Sequence, residues 1–292
     1  MIKKYTIAKF NISVDVNNDE YFFSRLSAYE SDFDSVPDLT FVIRRTKHLI
    51  KPSYTNLLKI GHDKFSCKIN GEDAIINFDS NKGKIIALTI FDKSYSNVEI
   101  TEYDITQDYD DYTCSCFNFN LMGNAMHYVM AMHSAFVFHS SSLVCNDGGV
   151  LFSAVSGTGK TTHTSLWLSQ FDDVKILNDD TPVIRVMPDA TVSIFGTPWA
   201  GTSGININEK APLKAIVFLE RANDNSMTRL GSQDALKGFF EALLTPISPP
   251  MHLKYLDTIK SVFATVPVYR LSCNMDPEAA IFARDYIFNS TK

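Results

Sequence analysis

The stretch Leu151 to Thr162, LFSAVSGTGKTT, runs from apolar residues into two glycines, a lysine and two threonines. That composition suits a turn that cradles phosphate. Gly157 and Gly159 let the backbone bend sharply and aim its N–H groups at an anion. A helix starting near Lys160 adds the positive end of its dipole. Lys160 can reach terminal phosphates, and the Thr161 hydroxyl is a ligand for Mg²⁺. The usual spacing G-x-x-x-x-G-K-[ST] is met at Gly159-Lys160-Thr161, but Ala154 stands where the first glycine falls. An alanine serves there provided its backbone stays in the β region. Ser156, Gly157, Thr158, Gly159, Lys160, Thr161 and Thr162 are therefore the candidate nucleotide-binding residues, for ATP or GTP with Mg²⁺.

Downstream, the apolar run Lys175 to Asn178 ends in Asp179-Asp180. A phosphoryl transferase needs a carboxylate for Mg²⁺ and often another to accept the hydroxyl proton. Neighbouring side chains leaving a strand point different ways, so the two can divide these tasks. Asp180 with Thr161 is assigned to the metal and Asp179 to the proton, an assignment that the sequence leaves reversible. His139, in FVFHSSS, is expected to assist at the phosphate or to orient Asp179. Arg270 is the candidate clamp on transferring phosphate, since guanidinium offers planar bidentate donors; Arg221 is the weaker candidate.

Together these features resemble the HPr kinase/phosphorylase and phosphoenolpyruvate carboxykinase superfamily. The resemblance rests on a histidine-bearing strand before the loop, on Ser156-Gly157-Thr158-Gly159-Lys160-Thr161, on Asp179-Asp180, and on the following Val183-Ile184-Arg185. It covers residues 135–190 well and the rest of the C-terminal half loosely. It implies an α/β kinase-like domain with a mixed sheet, and phosphoryl transfer to a hydroxyl of a peptide, a protein or a small molecule. A carboxykinase-like lyase and a non-catalytic nucleotide sensor are the rival readings. The chain departs from the pattern at Gly196 to Asn208, which contains no Asp or Glu, leaving Glu209 or Glu220 as a further acidic ligand.

The elements that must position these residues follow from hydrophobic periodicity. Residues 1–105 read as short strands separated by Asn-Gly, Asp and Asn-Lys-Gly turns, without any reactive constellation. The acidic EYDITQDYDDY, residues 102–112, reads as a connecting loop. The boundary is placed there, giving a β-rich scaffold or recognition domain, 1–112, and a kinase-like domain, 113–292. From Phe117 apolar residues recur at helical spacing, and strands then alternate with the THTSLWLSQF helix, an α/β order.

Composition narrows the class further. With 45% hydrophobic and 21% charged residues among 292, the chain can bury a core. A net charge of -6 without a basic stripe argues against nucleic acid. No apolar run reaches membrane-spanning length, and none follows Lys3-Lys4 as a signal peptide requires. A soluble cytoplasmic protein, able to oligomerise, is expected. The five scattered cysteines are expected to be reduced, and Cys114-Ser115-Cys116 lacks a second Cys or His pair for a metal.

Overall fold

The structure, a computed structural model, describes residues 1–17, 19–47, 52–106, 108–155 and 157–289. It is a mixed α/β protein with two mixed sheets. The chain divides into two units. The first comprises Met1–His133 and Thr245–Leu253; the second comprises Ser134–Leu244 and Lys254–Lys292. Among the described residues, no helix is long and apolar enough to cross a membrane.

The first unit holds β1 (Ile2–Ile7), β2 (Phe10–Val16), α1 (Glu20–Leu26), β3 (Leu39–Thr46), β4 (Thr55–Gly61), β5 (Lys64–Ile69), β6 (Glu72–Asp79), β7 (Lys84–Phe91), β8 (Asn97–Tyr103) and α2 (Asp111–Met132). Its eight strands lie in the order β1-β2-β3-β8-β7-β6-β5-β4. β2, β3 and β8 run parallel, and the rest of the sheet is antiparallel. The segment KYTIAKFNISVDV, which reads as one strand, folds back at Ala8 and Lys9. Both have positive φ, 51° and 66°, although neither residue advertises such a turn. Asn70-Gly71, by contrast, makes the β5–β6 turn that its sequence announces.

α2 begins within the acidic stretch. Asp110 caps it by accepting from the Thr113 amide at 2.7 Å. The helix does not open the second unit. Its Tyr128 packs edge-on to Phe91 at 5.9 Å, Phe119 to Tyr21 at 6.0 Å, and Asn118 bonds Asp19 at 3.1 Å. The two compact units thus divide after His133, where residue 112 was expected, since α2 packs on elements that precede it.

The second unit holds β9 (Ala135–Val137), β10 (Ser141–Cys145), β11 (Gly148–Ser153), α3 (Lys160–Gln170), β12 (Lys175–Asn178), β13 (Val183–Val186), β14 (Val192–Phe195), β15 (Lys210–Arg221), β16 (Ser226–Arg229), α4 (Ser232–Ala242), β17 (Val268–Cys273) and α6 (Pro277–Asn289). A further helix, α5 (Pro249–Thr265), begins in the segment counted with the first unit. Strands run β12-β10-β11-β15-β14-β13-β9, and β17 pairs with both β15 and β16. β11, β15 and β17 are parallel, so their carboxyl ends share one edge of the sheet. That edge is where ligands gather in open α/β sheets.

Phe152, Trp167, Val217, Leu271 and Ala280 form the core beneath it. Ala279, Ala280 and Ala283 are fully buried, and their small side chains let α6 approach closely. Arg284 of α6 grips Asp173 with two bonds of 2.7 and 2.8 Å and stacks over Phe171 at 4.4 Å. This bidentate pair ties α6 to the chain leaving α3.

Candidate functional site

The loop after β11 leads straight into α3. Gly159 precedes the helix at φ 121°, a conformation that side-chain-bearing residues rarely adopt. Gly157 also has positive φ, 80°. Ala154 is not among the residues with positive φ, so the glycine missing from the usual spacing leaves no backbone strain. Ser156 lies outside the described residues.

Lys160 Nζ donates to the Ala154 carbonyl at 3.1 Å and lies 3.2 Å from His139 Nε2. Burial pulls the Lys160 ammonium below the usual lysine value, while Asp180 and then Asp179 pull it back up.

FVFHSSS reads as a single strand, but it breaks at His139. β9 ends at Val137 and pairs with β13, whereas β10 starts at Ser141 and pairs with β11. The His139 amide donates to the Ala242 carbonyl at 3.1 Å, and its own carbonyl accepts from Ser153 at 2.9 Å. The ring therefore leaves the sheet at the carboxyl edge.

β12 delivers the two carboxylates. Asp179 is 8% exposed and accepts from Ser141 Oγ at 2.6 Å and from Thr161 Oγ1 at 3.4 Å. The Asp180 side chain is 34% exposed and faces His139 Nδ1 at 3.4 Å. These contacts differ from the expected ones. Asp179, not Asp180, stands beside Thr161, and His139 contacts Asp180, not Asp179. The cause lies in the turn: β12 ends pointing Asp179 inward at β10 and α3, and the next residue points out.

Asn178 sets that turn. It is fully buried. Its Oδ1 accepts from the amides of Asp180 and Thr181 at 2.9 and 2.7 Å, an Asx turn. Its Nδ2 donates to the carbonyls of Thr197 and Trp199 at 2.9 and 3.2 Å. One amide thus fixes the carboxylates and binds them to the loop after β14. Thr181 Oγ1 also donates to the Trp199 carbonyl.

His139, Lys160, Thr161, Asp179 and Asp180 line one cavity of about 400 Å³ together with Ala200 to Ser203. Gly157, Gly159, Thr162 and Arg221 complete the lining. Thr158 contributes through its backbone, its carbonyl accepting from Arg221 Nε at 2.9 Å. The Gly157 carbonyl accepts from Arg221 Nη2 at 2.5 Å.

Arg270 is not brought to the cavity. It sits opposite Phe218 inside the β15–β17 ladder and pairs with Glu220 at 3.0 Å. Arg221, the last residue of β15, projects from the carboxyl edge where Arg270 does not reach. Glu209 pairs with Lys175 at 2.5 Å, and neither it nor Glu220 lines the cavity. Ser141, Asn178 and Gly201 join the site from outside the residues expected from sequence. The Asn-Asp-Asp run did carry the signal for an Asx turn, whereas Ser141 and Gly201 matter only through long-range contacts.

Among the described residues no group of three His, Cys, Asp or Glu side chains could hold a metal, and all five cysteines are free. Thr161 with Asp179 does fit Mg²⁺ that arrives with nucleotide phosphates. Such an ion takes one or two protein oxygens, with phosphate and water completing its shell.

No family model matches the sequence, and no curated protein matches it. A solved structure, the Hpr(Ser) kinase/phosphatase from Coxiella burnetii, matches at 9% identity over 53% of this chain and 99% of that chain, with a TM-score of 0.33. That likeness is too distant to argue a reaction from, so the chemistry rests on the side chains themselves.

Proposed function

We propose that the protein transfers the γ-phosphoryl group of ATP or GTP to a hydroxyl acceptor, a serine of a peptide or protein or a small molecule. The observation that carries this reading is the meeting of Lys160 and Thr161 with Asp179, Asp180 and His139 in one cavity. The loop amides and Lys160 hold the β- and γ-phosphates. Thr161 and Asp179 would hold Mg²⁺, which supplies charge neutralisation on the phosphate oxygens. Arg221 braces the loop and takes the clamp role from Arg270.

Asp180, more exposed and beside His139, accepts the proton of the acceptor hydroxyl. The acceptor oxygen forms its bond to the γ-phosphorus as the bridging bond to the β-phosphate breaks, releasing the nucleoside diphosphate. His139 orients the Asp180 carboxylate and touches Lys160, linking base and phosphate ends of the site. Such a site acts by positioning and by electrostatic stabilisation, so few reactive side chains suffice.

Incubation with γ-labelled ATP, Mg²⁺ and hydroxyl acceptors tests the reading. Label appearing on an acceptor is the expected result. Carbon dioxide released from oxaloacetate, or nucleotide binding without turnover, would replace it with a lyase or a sensor.

A further inference from the structure

We infer that Ala200 to Ser203 is the acceptor wall of the site, that Gly201 lets it close on Asp180 without pressing on the carboxylate, and that the wall favours uncharged acceptor hydroxyls. The inference rests on the phosphotransfer reading and adds the acceptor side to it. Three observations carry it.

The wall is held in place. Asn178 bonds both the Asp179-Asp180 turn and the carbonyls of Thr197 and Trp199, and Thr197 Oγ1 donates back to the Thr181 carbonyl at 2.9 Å. The wall and the proposed base are thus parts of one hydrogen-bonded unit.

The wall comes closest to the base at Gly201. Gly201 has φ 59°, and a Cβ there would lie 3.0 Å from Cγ of Asp180 and 3.1 Å from its Cβ. Any side chain at 201 would press on the Asp180 carboxylate. Glycine lets the wall approach Asp180 without that pressure, and both residues line the cavity.

The wall also brings no charge. Its residues are Ala200, Gly201, Thr202 and Ser203; of the basic side chains lining the cavity, Lys160 and Arg221 are engaged at the phosphate loop and His139 faces Asp180. A carboxylate or phosphate beside the acceptor hydroxyl would face Asp180 and the γ-phosphate with no cation on the wall to pair with it. On the wall itself a neutral serine-like hydroxyl meets only methyl, hydroxyl and backbone groups.

Calorimetry on the full chain tests this with two nucleotide probes. Mg²⁺–AMP-PNP reports the nucleotide site; Mg²⁺–ADP with aluminium fluoride mimics the phosphoryl group in transfer, with an attacking oxygen beside Asp180. Gly201→Ala should leave AMP-PNP affinity within about twofold and weaken the aluminium fluoride complex at least tenfold. Thr202→Trp, at an exposed position, should split the two probes in the same way and keeps the test alive should Gly201→Ala misfold. Equal affinities for both probes in the variants and native chain, or equal losses of both in folded variants, overturn the acceptor role. N-acetylserinamide should tighten the native aluminium fluoride complex and the anionic N-acetylserine should not. If the anion tightens it as much, or the neutral compound has no effect, the uncharged class is wrong. A native chain that does not bind Mg²⁺–AMP-PNP sinks the phosphotransfer reading itself, and this inference with it.

Discussion

At the scale of single residues, the chemistry depends on which of two adjacent carboxylates faces which partner. Asp179 lies between Ser141 and Thr161, and Asp180 lies between His139 and Gly201. Asp179→Asn should therefore raise the Mg²⁺ concentration needed for turnover, because an amide is a poorer ligand for a hard cation. Asp180→Asn should leave Mg²⁺–nucleotide affinity nearly unchanged and cut turnover by about 10²–10⁴-fold, the usual cost of a lost general base. Mg²⁺ titrations of both variants decide; a metal defect confined to Asp180→Asn restores the assignment read from sequence. Lys160→Ala should weaken nucleotide binding and lower turnover by about 10²–10³-fold, as for other lost electrostatic donors. Unchanged affinity in a folded Lys160→Ala protein removes the phosphate site. The residue types were legible in the sequence, since Gly-Lys-Thr and Asp-Asp need only local spacing. Their pairing was not. Choosing Asp179 over Asp180 needs the position of Ser141, and choosing Arg221 over Arg270 needs the register of β15 on β17.

At the scale of elements, α3 carries the loop and is itself anchored by a buried histidine. His163 is 3% exposed, and its Nε2 accepts from Trp167 Nε1 at 3.1 Å, so the ring is neutral there. Burial drives its pKa down to about 4. Above the ordinary histidine value of 6.5 the ring is neutral in both folded and unfolded chains, and pH has no effect through it. Below that value the unfolded chain binds a proton that the folded chain refuses, so stability falls as pH drops from 6.5 toward 4. By pH 5 the loss reaches ~2 kcal/mol. Urea unfolding at pH 7 and pH 5 should show it, and His163→Gln, which keeps an acceptor for Trp167, should shrink the difference. An unchanged difference in that variant would exclude His163 as its source. Elements following a strict local pattern, such as α3 and the Asn-Gly hairpin, were readable from the chain. The break at His139 was not, because β9 and β10 are both buried and only their partners separate them.

At the scale of the whole molecule, the division of the chain depends on what α2 covers. Leu121, Met122, Met126, Tyr128 and Val129 are all at most 3% exposed, and the helix is grouped with the elements before it. Composition placed the boundary at the acidic stretch because charge and loop residues mark linkers in most chains. Here that stretch supplies the cap of a helix instead. A fragment of residues 111–292 should therefore carry α2 without its sheet. Each large apolar side chain left in water costs about 1.5–3 kcal/mol relative to burial, so this fragment should aggregate. A fragment of residues 134–292 omits α2 and keeps every residue of the cavity. It also retains 245–253, a segment grouped with the first unit, whose Ser248 lies 3.4 Å from the Tyr95 hydroxyl. It should be the more soluble of the two and bind Mg²⁺–AMP-PNP, with lower thermal stability than the full chain. Soluble yield, circular dichroism and calorimetry on both fragments measure this. A folded, soluble 111–292 fragment alongside an aggregated 134–292 fragment would assign α2 to the second unit and restore the boundary at residue 112.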